Sequence, residues 1–212
     1  MSVFVAEELS EVLNTKVVIG RINMGLLNRI IIDDVLLDDQ SGQEMLKVTR
    51  LSAKFDIMPF FKGKISISSV QLFGFNINLR KETPDSPPNF KFVLDAFASK
   101  DTVKKENSLD LRINSILIRR GRMSYHVLSE EETPEKFNAK HIQLQNIIAN
   151  ISLKALSKDS LNLGIKRLSL DEKASGFSLK KMSLKLVANN KQTNIDNFTI
   201  ELPETSLKLD TI

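Results

Sequence analysis

The chain has 212 residues, of which 42% are hydrophobic and 26% charged, with a net charge of +4 and no cysteine. That composition belongs to a folded domain rather than a disordered one, and its basic and acidic residues are too evenly mixed for a nucleic-acid footprint. Disulfides, thiolate chemistry and Cys-ligated zinc are excluded, and no apolar run approaches the ~20 residues that span a bilayer.

Residues 2–14 place Val5, Leu9, Val12 and Leu13 at helical spacing with glutamates opposite, which predicts a helix ending near Asn14-Thr15. Met1 leads straight into a segment containing Glu7, Glu8 and Glu11, so the targeting segment of an exported protein would lie outside this sequence. From Lys16 the period changes to two. Strands are predicted over Val17–Met24, Ile30–Leu37, Met45–Ile57 and Ile65–Leu79, with Gly42 and Gly63 in turns and Pro59-Phe60-Phe61 interrupting the third run. The Pro-rich stretch Thr83–Asn89 stops the pattern. Phe90, Val93, Leu94 and Phe97 then mark one face of a short helix with Asn89 as its N-cap, and 100–108 reads as a linker. Strands resume at Leu109–Ile118, Met123–Val127, Ile142–Leu153, Leu161–Leu170, Phe177–Val187, Ile195–Leu202 and Ser206–Leu209. Four stretches follow: a helix at 1–15, a first β segment at 16–82, the Pro-rich loop, helix and linker at 83–108, and a second β segment at 109–212.

Within the strands one spacing recurs, apolar at i, i+3 and i+5. It is seen at Ile67/Val70/Leu72 and again at Ile19/Ile22/Met24, Ile32/Val35/Leu37, Val48/Leu51/Ala53, Ile113/Ile116/Ile118, Leu144/Ile147/Ala149, Ile165/Leu168/Leu170, Leu179/Met182/Leu184 and Ile195/Phe198/Ile200. A helix stripe needs i+3, i+4 and i+7. A strand alternates with period 2, so one slip of parity implies a β-bulge or a bend. The fold class expected is mainly β: about a dozen strands joined by short turns, antiparallel by default, with one apolar and one polar face. From pattern alone a closed β-sandwich is the more ordinary outcome. The alternative is one long curled sheet, a trough whose Ile, Leu, Val and Phe lining offers an acyl chain a non-directional surface.

Chemical motifs are scarce. His126 and His141 are the only histidines and read as surface or strand-edge residues. No G-x-S-x-G elbow, P-loop or G-x-G-x-x-G is present. Asp33-Asp34 and Asp38-Asp39 lack calcium-loop spacing and read as solvated turns, and Glu130–Glu132 as a solvent-facing run. Arg119-Arg120-Gly121-Arg122 reads as a polar turn after a strand, with lipid head groups or an acidic partner as the alternative. No enzyme, cofactor, metal site or nucleic-acid partner is expected.

The run from Val17 to Val48, including I-G-R-I and D-D-V-L-L-D-D-Q-S-G, resembles the amino-terminal region of the TamB/AsmA-like family in its Bacteroides-type branch. The segment P-F-F-K-G-K-I-S-I-S-S-V and the stretch Ser86–Asp95 look like the same family's continuation. The resemblance implies a periplasmic protein anchored in the inner membrane by an amino-terminal helix absent from this sequence. It further implies a taco-shaped β structure whose hydrophobic groove carries phospholipid between inner and outer membranes, or which helps outer-membrane proteins assemble. On that reading the groove lining is Ile67, Val70, Leu72, Ile113, Ile116, Ile118, Ile165, Leu168 and Leu170, and the partner is phospholipid or another acyl-chain ligand. The competing expectation is a protein-interaction module whose sheet edges pair with strands of outer-membrane proteins.

Overall fold

The computed structural model describes residues 2–26, 28–55, 65–98, 109–110, 114–156 and 160–211. In chain order the elements are α1 (Ser2–Leu13), β1 (Val17–Gly25), β2 (Arg29–Asp38), β3 (Glu44–Phe55), β4 (Ile65–Lys81), α2 (Lys91–Ala98), β5 (Leu109–Asp110), β6 (Ser115–Val127), β7 (His141–Leu156), β8 (Ser160–Glu172), β9 (Ser178–Asn189), β10 (Thr193–Glu201) and β11 (Ser206–Thr211). Ten strands lie side by side in the order β1-β2-β3-β4-β6-β7-β8-β9-β10-β11, and the two-residue β5 pairs with the start of β4. The row does not close, since β1 and β11 stay at opposite ends of it. The fold is therefore the open, curled sheet and not the sandwich. The predicted Pro59-Phe60-Phe61 interruption and the 100–108 linker lie outside the described residues.

Two expectations about this sheet are corrected. The predicted strands Leu109–Ile118 and Met123–Val127 are divided differently, because β6 runs unbroken through Arg119–Arg122. That basic cluster is strand, not turn. The sheet is also not antiparallel throughout, because β4 and β6 run parallel. Parallel neighbours need a crossover of a dozen residues or more, and the Pro-rich loop and α2 lie in the connection between them.

The recurring spacing has a structural cause. Simple alternation would put Val48 and Leu51 on opposite faces of β3. Both instead join one packed cluster with Val35, Leu72, Phe75, Ile118, Met123, Leu144 and Ile147. The slip is accommodated by consecutive exposed residues such as Thr49-Arg50, Arg119-Arg120 and Gln145-Asn146. At several of these sites the backbone enters the left-handed region: Asp34 at φ 57°, Gly74 at 64°, Arg120 at 54°, Asn146 at 54° and Asn197 at 53°. Asp and Asn tolerate that region better than most residues. From β2 to β6 the slips share one level, at Asp33↔Arg50, Arg50↔Phe73 and Phe73↔Arg119, so the ladder passes through without losing register there. From β6 onward they are staggered and appear as register shifts, for example between Ile118 and Gly121 and between Ile165 and Leu168. The sheet is thus creased along a line that crosses its strands.

Two glycines make the crease possible. A Cβ on Gly74 would lie 2.7 Å from Thr49 Oγ1, at a φ that already disfavours side chains. A Cβ on Gly121 would lie 2.4 Å from Cε1 and Cζ of Phe75 and 3.0 Å from Cβ of Ile147. The Phe75 ring therefore lies over the backbone of β6 and meets Ile147 on β7, joining strands that are not neighbours.

The helices cover one end. Ala6 of α1 packs with Val17, Ile19, Leu37 and Met45, and Phe90, Phe92 and Val93 close over the same group. Asn89 does not cap α2 as predicted. Its carboxamide accepts from the backbone N–H of Arg80 (3.0 Å) and donates to Asp39 Oδ2 (3.0 Å) and to the Asn78 carbonyl (3.1 Å). The side chain is committed to the sheet end, where its bonds fix the loop entering the helix.

Replacing Gly121 by Ala should displace the Phe75 ring and lower stability by about 1–3 kcal/mol, the usual range for overpacking. The double variant Gly121→Ala/Phe75→Leu should lose less than the sum of the two singles, because the clash disappears. Urea denaturation of the four proteins measures both quantities.

Candidate functional site

The registers align apolar side chains into rows that cross the sheet. One runs Ile22–Ile32–Leu51–Leu72–Ile118–Ala149–Leu168–Met182–Ile200–Leu207, with a member on every strand of the row. Beside it runs Met24–Ile30–Ala53–Val70–Ile116–Ile151–Ile165–Leu184. Across the crease, Ile19–Val35–Val48–Phe75 continues toward Gly121 and Ile147. Adjacent strands lie ~4.8 Å apart, so the ten-strand row extends for roughly 43 Å. That is shorter than a dozen strands would give.

Of the nine residues expected to line a groove, Val70, Leu72, Ile116, Ile118, Ile165 and Leu168 fall in these two adjacent rows. All six are half-buried. Leu170 lies on the same face, in the cluster around Val48, Phe75 and Ile147. Ile67 is described only in its backbone, opposite Phe55, and Ile113 lies outside the described residues. Phe75, which packs with Val48 and Ile147 at the floor of the curl, lies outside the triplets read from the sequence, although Leu72/Phe75/Ile77 repeats their i, i+3, i+5 spacing. Ile147 is marked only within Leu144/Ile147/Ala149 and Gly121 only within the basic cluster, neither as part of the groove.

The opposite face is charged. At the crease Asp33 sits between Arg50 (Nε to Oδ1, 2.6 Å) and Arg21 (Nη2 to Oδ2, 3.7 Å). Its side chain is 7% exposed while the arginines are 55% and 72% exposed, so the cations roof the carboxylate. The guanidinium of Arg120 lies 5.1 Å from the Phe73 ring centroid, a cation–π contact. Arg119 and Arg122 are also exposed on β6.

Buried carboxylates fasten the strand ends. Asp39, read from sequence as a solvated turn residue, is 2% exposed. Oδ1 accepts from the Ser41 backbone N–H (2.9 Å), the Ser41 hydroxyl (2.7 Å) and the Gln43 N–H (3.2 Å). Oδ2 accepts from Asn89 and pairs with Arg80 at 2.6 Å, and Arg80 also reaches Gln43 and Ser41. The β2–β3 turn, the end of β4 and the loop before α2 are thereby held at one point. Glu172, also 2% exposed, does the same at the β8–β9 turn, accepting from the N–H groups of Gln143, Ala174 and Ser175 and from the Ser175 hydroxyl. Asp33-Asp34 is likewise strand, not turn.

Burial alone would raise the pKa of Asp39, but the bonds from Ser41, Asn89 and Gln43 outweigh it and hold the carboxyl below the usual range. Glu172 is lowered in the same way, its hydrogen bonds overcoming burial. For Asp33 the Arg50 hydrogen bond is the largest influence and lowers it against burial. Asn146 and Ser178 lower Asp171.

His126 and His141 face one another as cross-strand partners at the end of β6 and β7, with Glu132 of the intervening loop beside them. Among the described residues no helix is long and apolar enough to cross a membrane. No protein-family model matches the chain, and no curated protein matches it.

A carboxyl whose folded pKa is depressed stabilises the fold above its unfolded value, about 4 for Asp and Glu, and loses that contribution as pH falls through the folded value. Stability should therefore drop on acidification below pH ~4. Asp39→Asn should cost about 1–3 kcal/mol at neutral pH and flatten the acid limb of the stability profile, as read from urea midpoints at several pH values.

Proposed function

We propose that this chain is a segment of a non-enzymatic lipid conduit of the AsmA/TamB-like kind. Its apolar face binds the acyl chains of phospholipid and conducts them along the trough between inner and outer membranes. The full-length protein would be periplasmic and anchored in the inner membrane. The observation that carries this reading is the pair of apolar rows running across an unclosed sheet. A side-chain lining of Ile, Leu, Val, Met and Ala meets a hydrocarbon without hydrogen bonds to satisfy, contributing ~25 cal/mol per Å² removed from water. The charged face keeps the outside of the trough wet.

A second reading rests on the last strand. Every described residue of β11 is exposed, Leu207 at 49% and Leu209 at 37%, and its outer edge pairs with no strand of the described chain. Such an edge templates strand addition. An incoming strand from an outer-membrane protein, or a further strand of the same trough, would prolong the row that reaches Leu207.

Ile116→Asp separates an open lining from a core. On a lipid-facing surface the variant should keep a cooperative urea transition yet lose phospholipid recovered by solvent extraction and detected by native mass spectrometry. If the wild-type protein comes empty and also refuses fluorescent phospholipid, the conduit reading fails. Crosslinking of unfolded outer-membrane strands through β11, with Ile116→Asp unchanged, would support strand addition instead.

A further inference from the structure

The end of β6 and β7 carries a group of side chains that the trough does not use. His126 and His141 are paired in register, and their Nδ1 atoms lie 3.0 Å apart. Glu132 Oε1 is 3.7 Å from His126 Nδ1 and 3.9 Å from His141 Nδ1. This is the one convergence of three such donors among the described residues.

The protons show what the arrangement favours. His141 Nε2 lies 2.9 Å from the Glu130 carbonyl oxygen, which can only accept. His141 therefore carries its proton on Nε2, and in the neutral ring Nδ1 presents a bare lone pair toward His126. In the metal-free protein, with both rings neutral, the His126 Nδ1 proton lies between the two nitrogens. A cation could take that proton's place if His126 adopts its other tautomer. A histidine whose far N–H is held by a backbone carbonyl is the usual orientation of a metal ligand, since that bond fixes the ring and makes the near nitrogen more basic.

The separations fit one ion. Zinc–imidazole bonds are ~2.05 Å, so two nitrogens 3.0 Å apart subtend roughly 94° at the metal. A point in the plane of the three donor atoms lies ~2.1 Å from each of them, and Glu132 would approach the imidazoles by roughly half an ångström to turn that planar arrangement toward tetrahedral. Its side chain is 66% exposed and free to do so, whereas His141 is 8% exposed and held. The loop is already ordered around the site. Glu130 N–H donates to the Val127 carbonyl, His141 N–H to Asn138, and Leu128 and Ser129 bond back to Lys81 and Glu82. The cation next in register, Arg80, is turned to Asp39.

We infer that His126, His141 and Glu132 form a binding site for a divalent first-row transition ion, with two imidazole nitrogens and one carboxylate oxygen as ligands and water completing the coordination. Donors of this type suit zinc, copper, nickel or cobalt better than calcium or magnesium. The ion would tie the 128–140 loop to both strands, cross-linking the end of the trough nearest the Asp39 clamp.

Titration calorimetry of the untagged protein with Zn²⁺ tests this. The expected result is one equivalent bound, at least tenfold weaker binding in Glu132→Gln, and larger loss in His126→Ala. Glu131→Gln, one residue away, should bind as the wild type does. Cu²⁺ should give an electron paramagnetic resonance spectrum with hyperfine coupling to two imidazole nitrogens, reduced to one in His126→Ala. Circular dichroism of Glu132→Gln should be unchanged, because that side chain is exposed. A wild-type protein that binds no Zn²⁺ overturns the inference. So does binding that is equally tight in Glu132→Gln and His126→Ala, which would place the ion elsewhere.

Discussion

Among the described residues the sheet has helices over only one end of its apolar face, and the rest of that face is buried against itself. The rest of the structure depends on the contact that allows this, the Phe75 ring lying across Gly121 to Ile147. A flat ten-strand sheet would leave its rows in water. Bulges and left-handed residues bend strands and increase twist. Here they are aligned closely enough that the bend becomes a crease rather than a set of local kinks. Residues on both sides of the crease then share one cluster, which is why Val48, Phe75 and Ile147 are buried while most members of the flanking rows are half-buried.

The two faces are stabilised by different physics. The apolar face relies on non-directional burial, so its rows tolerate Ile, Leu, Met and Ala at equivalent positions. The outer face and the strand ends rely on directed bonds to carboxylates. Asp39 and Glu172 occupy equivalent roles at separate turns. Glu172 is saturated by backbone N–H groups and a hydroxyl, and Asp39 by those together with the Asn89 amide and the Arg80 guanidinium, and among the described residues no buried side-chain polar atom lacks a partner. An open sheet needs such clamps at its turns, because its strands are not held between two layers along their length. The helix pair over Val17, Ile19 and Leu37 closes one end by hydrophobic contact, and the Asp39–Arg80–Asn89 bonds keep that lid in place.

Much of this was legible in the residues. The i, i+3, i+5 spacing marked parity slips at Val48/Leu51 and Leu144/Ile147, and strand limits were mostly placed within a few residues. What stayed hidden was information that needs a partner strand. Arg119–Arg122 resembles a turn because three charges and a glycine break the apolar pattern, yet the glycine is the seat for Phe75. Asp38-Asp39 resembles a solvated turn because nothing local announces that Arg80 and Asn89 will arrive from 41 and 50 residues away. The parallel pairing of β4 and β6 could not be read from alternation, which is blind to strand direction. His126 and His141 stand far enough apart in sequence that only the register makes them neighbours.

The rows also bear on how a trough of this kind could conduct rather than merely hold a ligand. From Ile22 to Leu207 the longer row contains no polar residue. A hydrocarbon sliding from strand to strand therefore exchanges one aliphatic contact for another, and burial free energy that scales with area changes little between positions. A polar pocket with matched hydrogen bonds would do the opposite, fixing one pose and making departure slow. The row does not stop at a wall, since its last member lies on the exposed edge strand. On the proposed conduit reading, a strand pairing with β11 would extend the same surface without a step, and passage would depend on the continuity of the sheet rather than on any one binding residue.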